Sequence, residues 1–366
     1  MRLLVIFAVF IFAGFISAPS KCMVGAAEGL ALCAKVIIPS LFPFFVCAKL
    51  FVLSGIAKRL GRWMSVFMRP VFNVPGSAGF AFIMGILSGY PVGAQCGVDL
   101  YEQGLCTKTE AQRIICFCNN SGPLFIIGAI GVGMLYSHTA GITLYIIHVL
   151  SAITVGIIFR WYKKSEVISF ANAACKKEAQ KVGFGESLSI AISKSVELIL
   201  YVCGFIVFFS VFVSVLEHFG IIKALQGFLY NFGISKNVSS ALATGFFEVS
   251  KGAMRLCMLP LGSFRGVLVS MVVAWSGISV ILQVSGIISK AGLSTKVFIL
   301  AKFLHSAIAG IYAMIAARLP IGEVQTFLDQ HTLDFNPWVM SLPILAIAII
   351  LCIILAFGSF IYCNIK

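Results

Sequence analysis

Ile114-Ile115-Cys116-Phe117-Cys118-Asn119-Asn120-Ser121-Gly122-Pro123-Leu124-Phe125-Ile126-Ile127-Gly128 is an apolar run split in its middle by two amides, a hydroxyl, a glycine and a proline. Proline removes a backbone donor and clashes with the preceding turn, so one continuous helix cannot pass through Pro123, whereas a new helix can begin there. In water such a break is unremarkable. In hydrocarbon each unpaired backbone group costs several kcal/mol, so unwound chain is tolerated only where protein or a water-filled cavity covers it.

The rest of the chain places this run in hydrocarbon. Of 366 residues, 60% are hydrophobic, and the mean hydropathy is +1.03, far above what a soluble core requires. Gly141 to Phe159, Leu198 to Leu216, Val297 to Ala317 and Trp338 to Phe360 approach or exceed the roughly 20 apolar residues that span a bilayer. The fold class is therefore an all-α, polytopic membrane protein of bacterial inner-membrane type, with the lipid bilayer as its first partner. A net charge of +14 would suggest nucleic acid in a soluble protein, but here the basic residues sit in short links between apolar runs and read as topology signals. No nucleic-acid role is expected. The twelve cysteines show no metal-ligand spacing and lie mostly in apolar segments, so no metal site, cofactor or disulfide is expected. Met1 to Ala18 has the basic start and apolar centre of a secretory signal, but Pro19-Ser20-Lys21-Cys22 lacks a lipoprotein cleavage pattern; an uncleaved first helix, residues 1–22, is the reading.

The longest polar stretch, Arg160 to Gly185, carries Arg160, Lys163, Lys164, Lys176, Lys177 and Lys181 against Glu166 and Glu178, which places residues 161–186 in the cytoplasm. The segments on either side have one layout. Repeat 1 (23–160) contains a hairpin near 76–103 and a broken helix at 109–135; repeat 2 (187–318) contains a hairpin near 238–259 and a broken helix at 267–288; an outside loop and a last span follow at 319–366. An ungapped shift of 159 lays Gly93-Ala94 on Gly252-Ala253, and a shift of 155 lays Ser121-Gly122 on Ser276-Gly277. Following the basic links through the chain gives each half an odd number of crossings, hence two inverted-topology repeats, each with a re-entrant helical hairpin and a broken transmembrane helix. Lys251, Arg255 and Arg265 are the exceptions to the charge bias, because this assignment puts them outside. Inverted repeats with broken helices are the build of many secondary transporters.

Four polar interruptions carry the candidate substrate-binding residues. The first supplies Ser88, Gly89, Tyr90 and Gln95 around Pro91; the second Asn119, Asn120, Ser121 and Gly122; the third Glu248, Ser250, Lys251 and, a turn on, Arg255; the fourth Ser276, Gly277, Ser279 and Gln283. Free amides at the half-helix starting near Ser121 would attract a carboxylate. Glu248 and Lys251, three apart, either pair with each other or face a ligand; both readings stay open. Glu28, Lys35, Lys194 and Glu197 read as interfacial groups or structural pairs, and His148 and His305 as satisfied core histidines. Arg59 to Arg69, with Trp63 and Phe67, reads as a basic amphipathic helix on the cytoplasmic face.

Pro39-Ser40-Leu41-Phe42-Pro43-Phe44, Ser88-Gly89-Tyr90-Pro91-Val92-Gly93-Ala94, Asn119-Asn120-Ser121-Gly122-Pro123-Leu124-Phe125, Gly245-Phe246-Phe247-Glu248 and Ser276-Gly277-Ile278-Ser279, in that order, resemble the YlbJ (SpoVV) family of sporulation integral membrane proteins. That family is grouped with proteins sharing a nucleoside-recognition or gate region, among them concentrative nucleoside transporters and ferrous-iron transporters. The resemblance implies a carrier whose hairpins and broken helices form the site. It also implies a role in endospore formation, in the mother-cell membrane around the forespore, with dipicolinic acid as cargo. Trp275 departs from the pattern, since a small residue is expected beside the fourth break.

The expected function is thus secondary transport of a small aromatic carboxylate anion, with Lys251 or Arg255 meeting its charge. A nucleoside carrier is the alternative, kept open by Glu248, Asn119 and Asn120, and a non-transporting spore-assembly factor is the second. An enzyme on lipid-linked substrates would need a clustered acid, base or metal, and the carboxylates are scattered. The coupling ion, sodium or proton, is not legible, and a homo-oligomer is left open.

Overall fold

The structure, a computed structural model, describes residues 2–54, 56–163 and 183–318. Most of the basic loop and the whole expected outside loop and last span, including Trp338 to Phe360, lie outside the described residues. Every regular element among them is helical. Helices α1 (Arg2–Ser17), α2 (Pro19–Leu32), α3 (Ile38–Leu53) and α4 (Ile56–Phe72) open the chain, with a π-type turn at Cys33–Ile37 joining α2 to α3. Then come α5 (Ala78–Ser88), α6 (Val92–Glu102), α7 (Lys108–Cys118), a π-type segment at Leu124–Met134, and α8 (His138–Phe159). After the basic loop follow α9 (Phe184–His218), α10 (Ile221–Tyr230), α11 (Lys236–Phe247), α12 (Val249–Cys257), α13 (Phe264–Trp275), α14 (Gly277–Lys290) and α15 (Thr295–Ala316).

Four helical stretches among the described residues are long and apolar enough to cross a membrane, namely α8, α9, α13 together with α14, and α15, or five if the bent pair α1–α2 counts as one span. That pair corrects one expectation. The first helix expected over residues 1–22 is broken at Ala18, where α1 and α2 meet at a bend of 105°. Ala18 leaves helical geometry at φ −138° and Pro19 starts the next helix, where its missing donor costs nothing. The apolar run Leu198 to Leu216 is the C-terminal part of α9, which runs unbroken from Phe184 for 35 residues, about 52 Å at 1.5 Å per residue. Lys194 and Glu197, in the N-terminal half of α9, pair with each other at 3.0 Å. On α4 the exposed side chains include Trp63, Val66 and Phe67.

Glycines set the packing of the interior. A Cβ on Gly85 of α5 or on Gly93 of α6 would lie 1.8 Å from the same atom, the carbonyl oxygen of Cys118. The last carbonyl of α7 is therefore pressed into the crossing of α5 and α6, a position that only two glycines allow. The α11–α12 pair closes in the same manner: a Cβ on Gly252 would stand 2.2 Å from the Cα of Gly245. Each hairpin is a pair of half-length helices whose arms touch backbone to backbone.

Candidate substrate site

The tip of each hairpin rests on the break of the helix that follows it. Gly89, at φ +83°, sits against Gly122 closely enough that a Cβ would approach Gly122 N to 2.7 Å. Gly277, at φ +77°, sits against Phe247, Glu248 and Val249, where a Cβ would stand 3.0 Å from Phe247 O. Left-handed backbone is open to glycine at little cost, and these positions also need the missing side chain. Ser276 adopts the left-handed region at φ 70° as well, between α13 and α14.

Both hairpin tips, the first break and the helix that follows the second break reach one inner cavity of ≈ 80 Å³. Its polar lining includes Ser88, Gly89 and Tyr90 from the first hairpin and Gly122 from the first break. Glu248 and Ser250 come from the second hairpin, and Ser279 and Gln283 from α14. Apolar side chains of α9, among them Phe205 and Phe209, close it on one side. Helix α14 is further fixed by Tyr201, whose hydroxyl donates to Gln283 O at 3.1 Å. Glu248 caps α12: its carboxylate accepts from Ser250 N at 3.1 Å and Lys251 N at 2.7 Å. It is thus turned into its own helix and does not pair with the Lys251 ammonium, which settles one alternative left by the sequence.

A second, wider cavity of ≈ 790 Å³ adjoins it and shares Glu248 and Ser250 with it. Lys251 and Arg255 face this vestibule from α12, together with Lys21 and Glu28 of α2 and Glu217 of α9. Lys251 Nζ lies 2.9 Å from Glu28 Oε2. Arg255 donates to Glu217 Oε1 at 2.6 Å and also to the hydroxyl of Thr244. The cations of the second hairpin are therefore each held by one carboxylate, from two different helices, across an opening of the size ligands occupy.

Six expected residues line neither cavity: Gln95, Asn119, Asn120, Ser121, Ser276 and Gly277. Gln95 donates to Asp99 at 2.9 Å, which in turn pairs with Lys49 at 3.0 Å, an ion-pair group on α6 and α3 away from the inner cavity. Asn119 and Asn120 are buried behind the first break, and the amide of Ser121 donates to His148 Nε2 at 3.0 Å. That bond corrects the picture of a free half-helix N-terminus at Ser121 awaiting an anion. Trp275, the departure from the family pattern, does not line the cavity: its indole donates to Phe246 O at 3.0 Å and stacks on the Phe246 ring, clamping the end of α11.

Sequence reasoning missed Lys302. It is 1% exposed on α15, with its Nζ 3.2 Å from Asn119 O and 3.3 Å from His305 Nδ1. The signal was present, an ionisable side chain inside the apolar run Val297 to Ala317 one turn before a histidine already singled out.

These elements define an all-helical, polytopic membrane protein with an internal cavity between its helical hairpins. Residues 34–136, which include the first hairpin and the first break, match the Gate family, described as nucleoside recognition. Over 329 residues the chain is 32% identical to the sporulation integral membrane protein YlbJ of Bacillus subtilis (strain 168), covering 84% of this chain and 81% of that protein. The chain belongs to the YlbJ family of sporulation integral membrane proteins. No solved structure matches it.

Proposed function

We propose that this protein is a secondary transporter for a small aromatic dicarboxylate, dipicolinic acid, in the mother-cell membrane around the forespore. The observation that carries the reading is the pair of bridges Lys251–Glu28 and Arg255–Glu217 around the wider cavity. Two cations stand one helical turn apart, and each is neutralised by a replaceable carboxylate. A substrate with two carboxylates can take both places at once, conserving charge while it frees the second hairpin from α2 and α9. The pairs suit exchange, because the side chains of Glu28 and Glu217 are 56% and 38% exposed, and ion pairs of that kind contribute only about 0.2–1 kcal/mol. Charge-assisted contacts to a desolvated dianion are worth more.

Past this vestibule, Glu248 and Ser250 form the shared wall with the inner cavity, so movement of α12 links the two spaces. One observation favours a nucleoside instead. The charged lining of the inner cavity is the carboxylate of Glu248, beside the hydroxyls of Ser88, Tyr90 and Ser279, a setting for a neutral polyol rather than an anion. Uptake of labelled dipicolinate and labelled uridine into liposomes holding the purified protein separates the readings. Dipicolinate accumulation that is lost in Lys251→Met and in Arg255→Met supports the first. Uridine accumulation with dipicolinate excluded replaces it by the second, and uptake of neither removes the transport reading.

A further inference from the structure

The mechanism above makes no use of Lys302, which at 1% exposure is as buried as any charged side chain among the described residues. Lys302 lies mid-span on α15, and the carbonyl it holds belongs to Asn119, the residue that caps α7 at its C-terminus. In an unbroken helix that oxygen would accept from an amide one turn on; the break removes the partner and leaves the negative end of a half-helix. Unwound carbonyls and half-helix C-termini are where broken-helix carriers coordinate their coupling cation. Here the cation at that place is the protein's own ammonium.

The hydrogen positions around it follow from the fixed partners. His305 Nε2 is 3.0 Å from His148 O, and a carbonyl can only accept, so Nε2 carries the hydrogen and the neutral ring offers Nδ1 to Lys302. His148 Nε2 accepts from Ser121 N, so its hydrogen sits on Nδ1, a buried atom without a protein partner among the described residues. The two imidazole rings are 4.5 Å apart. With both rings neutral, the place left for a mobile proton is between Lys302 Nζ and His305 Nδ1.

No carboxylate balances it within 4.0 Å among the described residues. The groups on the packed helices are otherwise engaged or uncharged. From α7, Glu110 binds Arg69 and Thr107, Arg113 binds the carbonyls of Asn73 and Tyr162, and Cys116 and Cys118 are thiols. From α13, Arg265 binds Leu259 O, and α14 offers Lys290 at its far end. On α8 the facing group is His148, and on α15 itself Tyr312 bonds Thr154 while Lys296 lies in the first turn. A neutral amide would cap Asn119 O equally well, so capping alone gives no reason to bury a charge, which costs several kcal/mol when unpaired.

We propose that Lys302, with His305, is the proton-binding centre of this protein, so that H⁺ and not sodium is the ion coupled to transport. In the loaded state the ammonium holds the end of α7 through Asn119 O. On unloading, an Nζ–H bond breaks and an Nδ1–H bond forms on His305. That leaves a neutral amine and an imidazolium still bonded to His148 O, which gives its proton to water once the break opens. The tether on the first break then falls from a charge-assisted to a neutral hydrogen bond, which loosens the shelf on which Gly89 of the first hairpin rests.

The transport half of the test rests on the carrier reading; the binding half does not. Protein labelled with ¹⁵N at lysine Nζ, in nanodiscs, is stepped from about pH 5.5 to 9, where ordinary lysines, with pKa about 10.4, stay ammonium. One resonance should pass between ammonium and amine, and Lys302→Arg should lack it. If every lysine stays ammonium, the proposal fails, and this measurement needs only wild-type protein. In liposomes a pH step of one unit coupled to one proton sustains about a tenfold substrate ratio. Lys302→Arg, which cannot give up its proton, should lose that ratio, whereas a merely structural cation would be rescued by arginine. Accumulation driven by sodium and indifferent to pH overturns the proposal as well. A titrating lysine without uptake of any substrate leaves the proton site standing and removes the carrier reading.

Discussion

Gly93→Ala tests whether the first hairpin and the first broken helix are one mechanical unit. The added Cβ would lie 1.8 Å from Cys118 O and 2.6 Å from Cys118 C, both backbone atoms. Against an ordinary contact of about 3.5 Å the deficit is roughly 1.7 Å. Neither side can yield readily, because Gly85 on the opposite arm faces the same oxygen at 1.8 Å. Overpacking a filled interior costs typically 1–3 kcal/mol, and two rigid backbones place this case near the upper end, about 3 kcal/mol. The expected result is a fall in apparent melting temperature on the order of 5 °C or more in detergent. Gly128→Ala serves as the control, since a Cβ there meets nothing within 4 Å. It should stay within about 0.5 kcal/mol of wild type. Gly85→Ala should match Gly93→Ala, and the double variant should lose less than the sum, because both clash with one atom. Thermal scanning of the four variants decides the matter: if Gly93→Ala melts with the control, α7 does not end in the hairpin crossing as described.

Reversing the bridges should restore what single reversals remove. Glu28→Lys and Lys251→Glu are each expected to raise the half-saturating dipicolinate concentration about tenfold or more; if the double swap recovers none of the loss, the two side chains do not meet. Glu248→Ala removes the cap of α12 and should cost about 0.5–2 kcal/mol, read as a lower melting temperature, and an unchanged melt refutes the capping role. Trp275→Phe keeps the stacking on Phe246 but drops the bond to its carbonyl, so stability should fall by about 1 kcal/mol without a change in half-saturation, and a shifted half-saturation would place Trp275 in the site after all. In a cysteine-free background, a probe in Arg160 to Gly185 should react only from the cytoplasmic side and one in Arg318 to Pro337 only from the other; equal access ends the inverted-repeat reading.

The breaks were legible because each combines residues that are expensive in hydrocarbon with residues that cannot continue a helix. Asn119 to Pro123 and Ser88 to Pro91 announce themselves by local chemistry, and the helices do end there. The corner at Ser17 to Pro19 was not legible, since apolar residues run through it on both sides and hydropathy carries no angle. Pairing was not legible either. Spacing offered Glu248 to Lys251, three apart, but the carboxylate found closer donors in the amides at the start of α12. The ammonium then took Glu28, more than 200 positions away in the chain. Lys302 escaped because a lone lysine within an apolar run reads as a side chain reaching for the surface. What holds it inside is the orphan carbonyl of a break on another helix, which no local window displays.

The two breaks are built alike and furnished differently, and the difference suggests how work is divided between them. Behind the first stand Lys302, His305 and His148, all at 2% exposure or less, with no opening to the vestibule. Against the second rests the tip of the hairpin that carries Glu248, Lys251 and Arg255, whose side chains line the wider cavity. On the proposed reading the proton is held behind the first break, by Lys302 and His305 of α15 with His148 of α8, and the substrate is met at the second hairpin. The inner cavity is the common ground, since Gly89 and Gly122 enter it from one half and Glu248 and Ser279 from the other. A proton leaving Lys302 slackens the first tip, and a dicarboxylate displacing Glu28 and Glu217 slackens the second. Coupling then requires no contact between the two ligands. It requires that the cavity wall hold only one arrangement of both tips at a time, so that a substitution tightening either tip alone slows transport without changing which ion drives it.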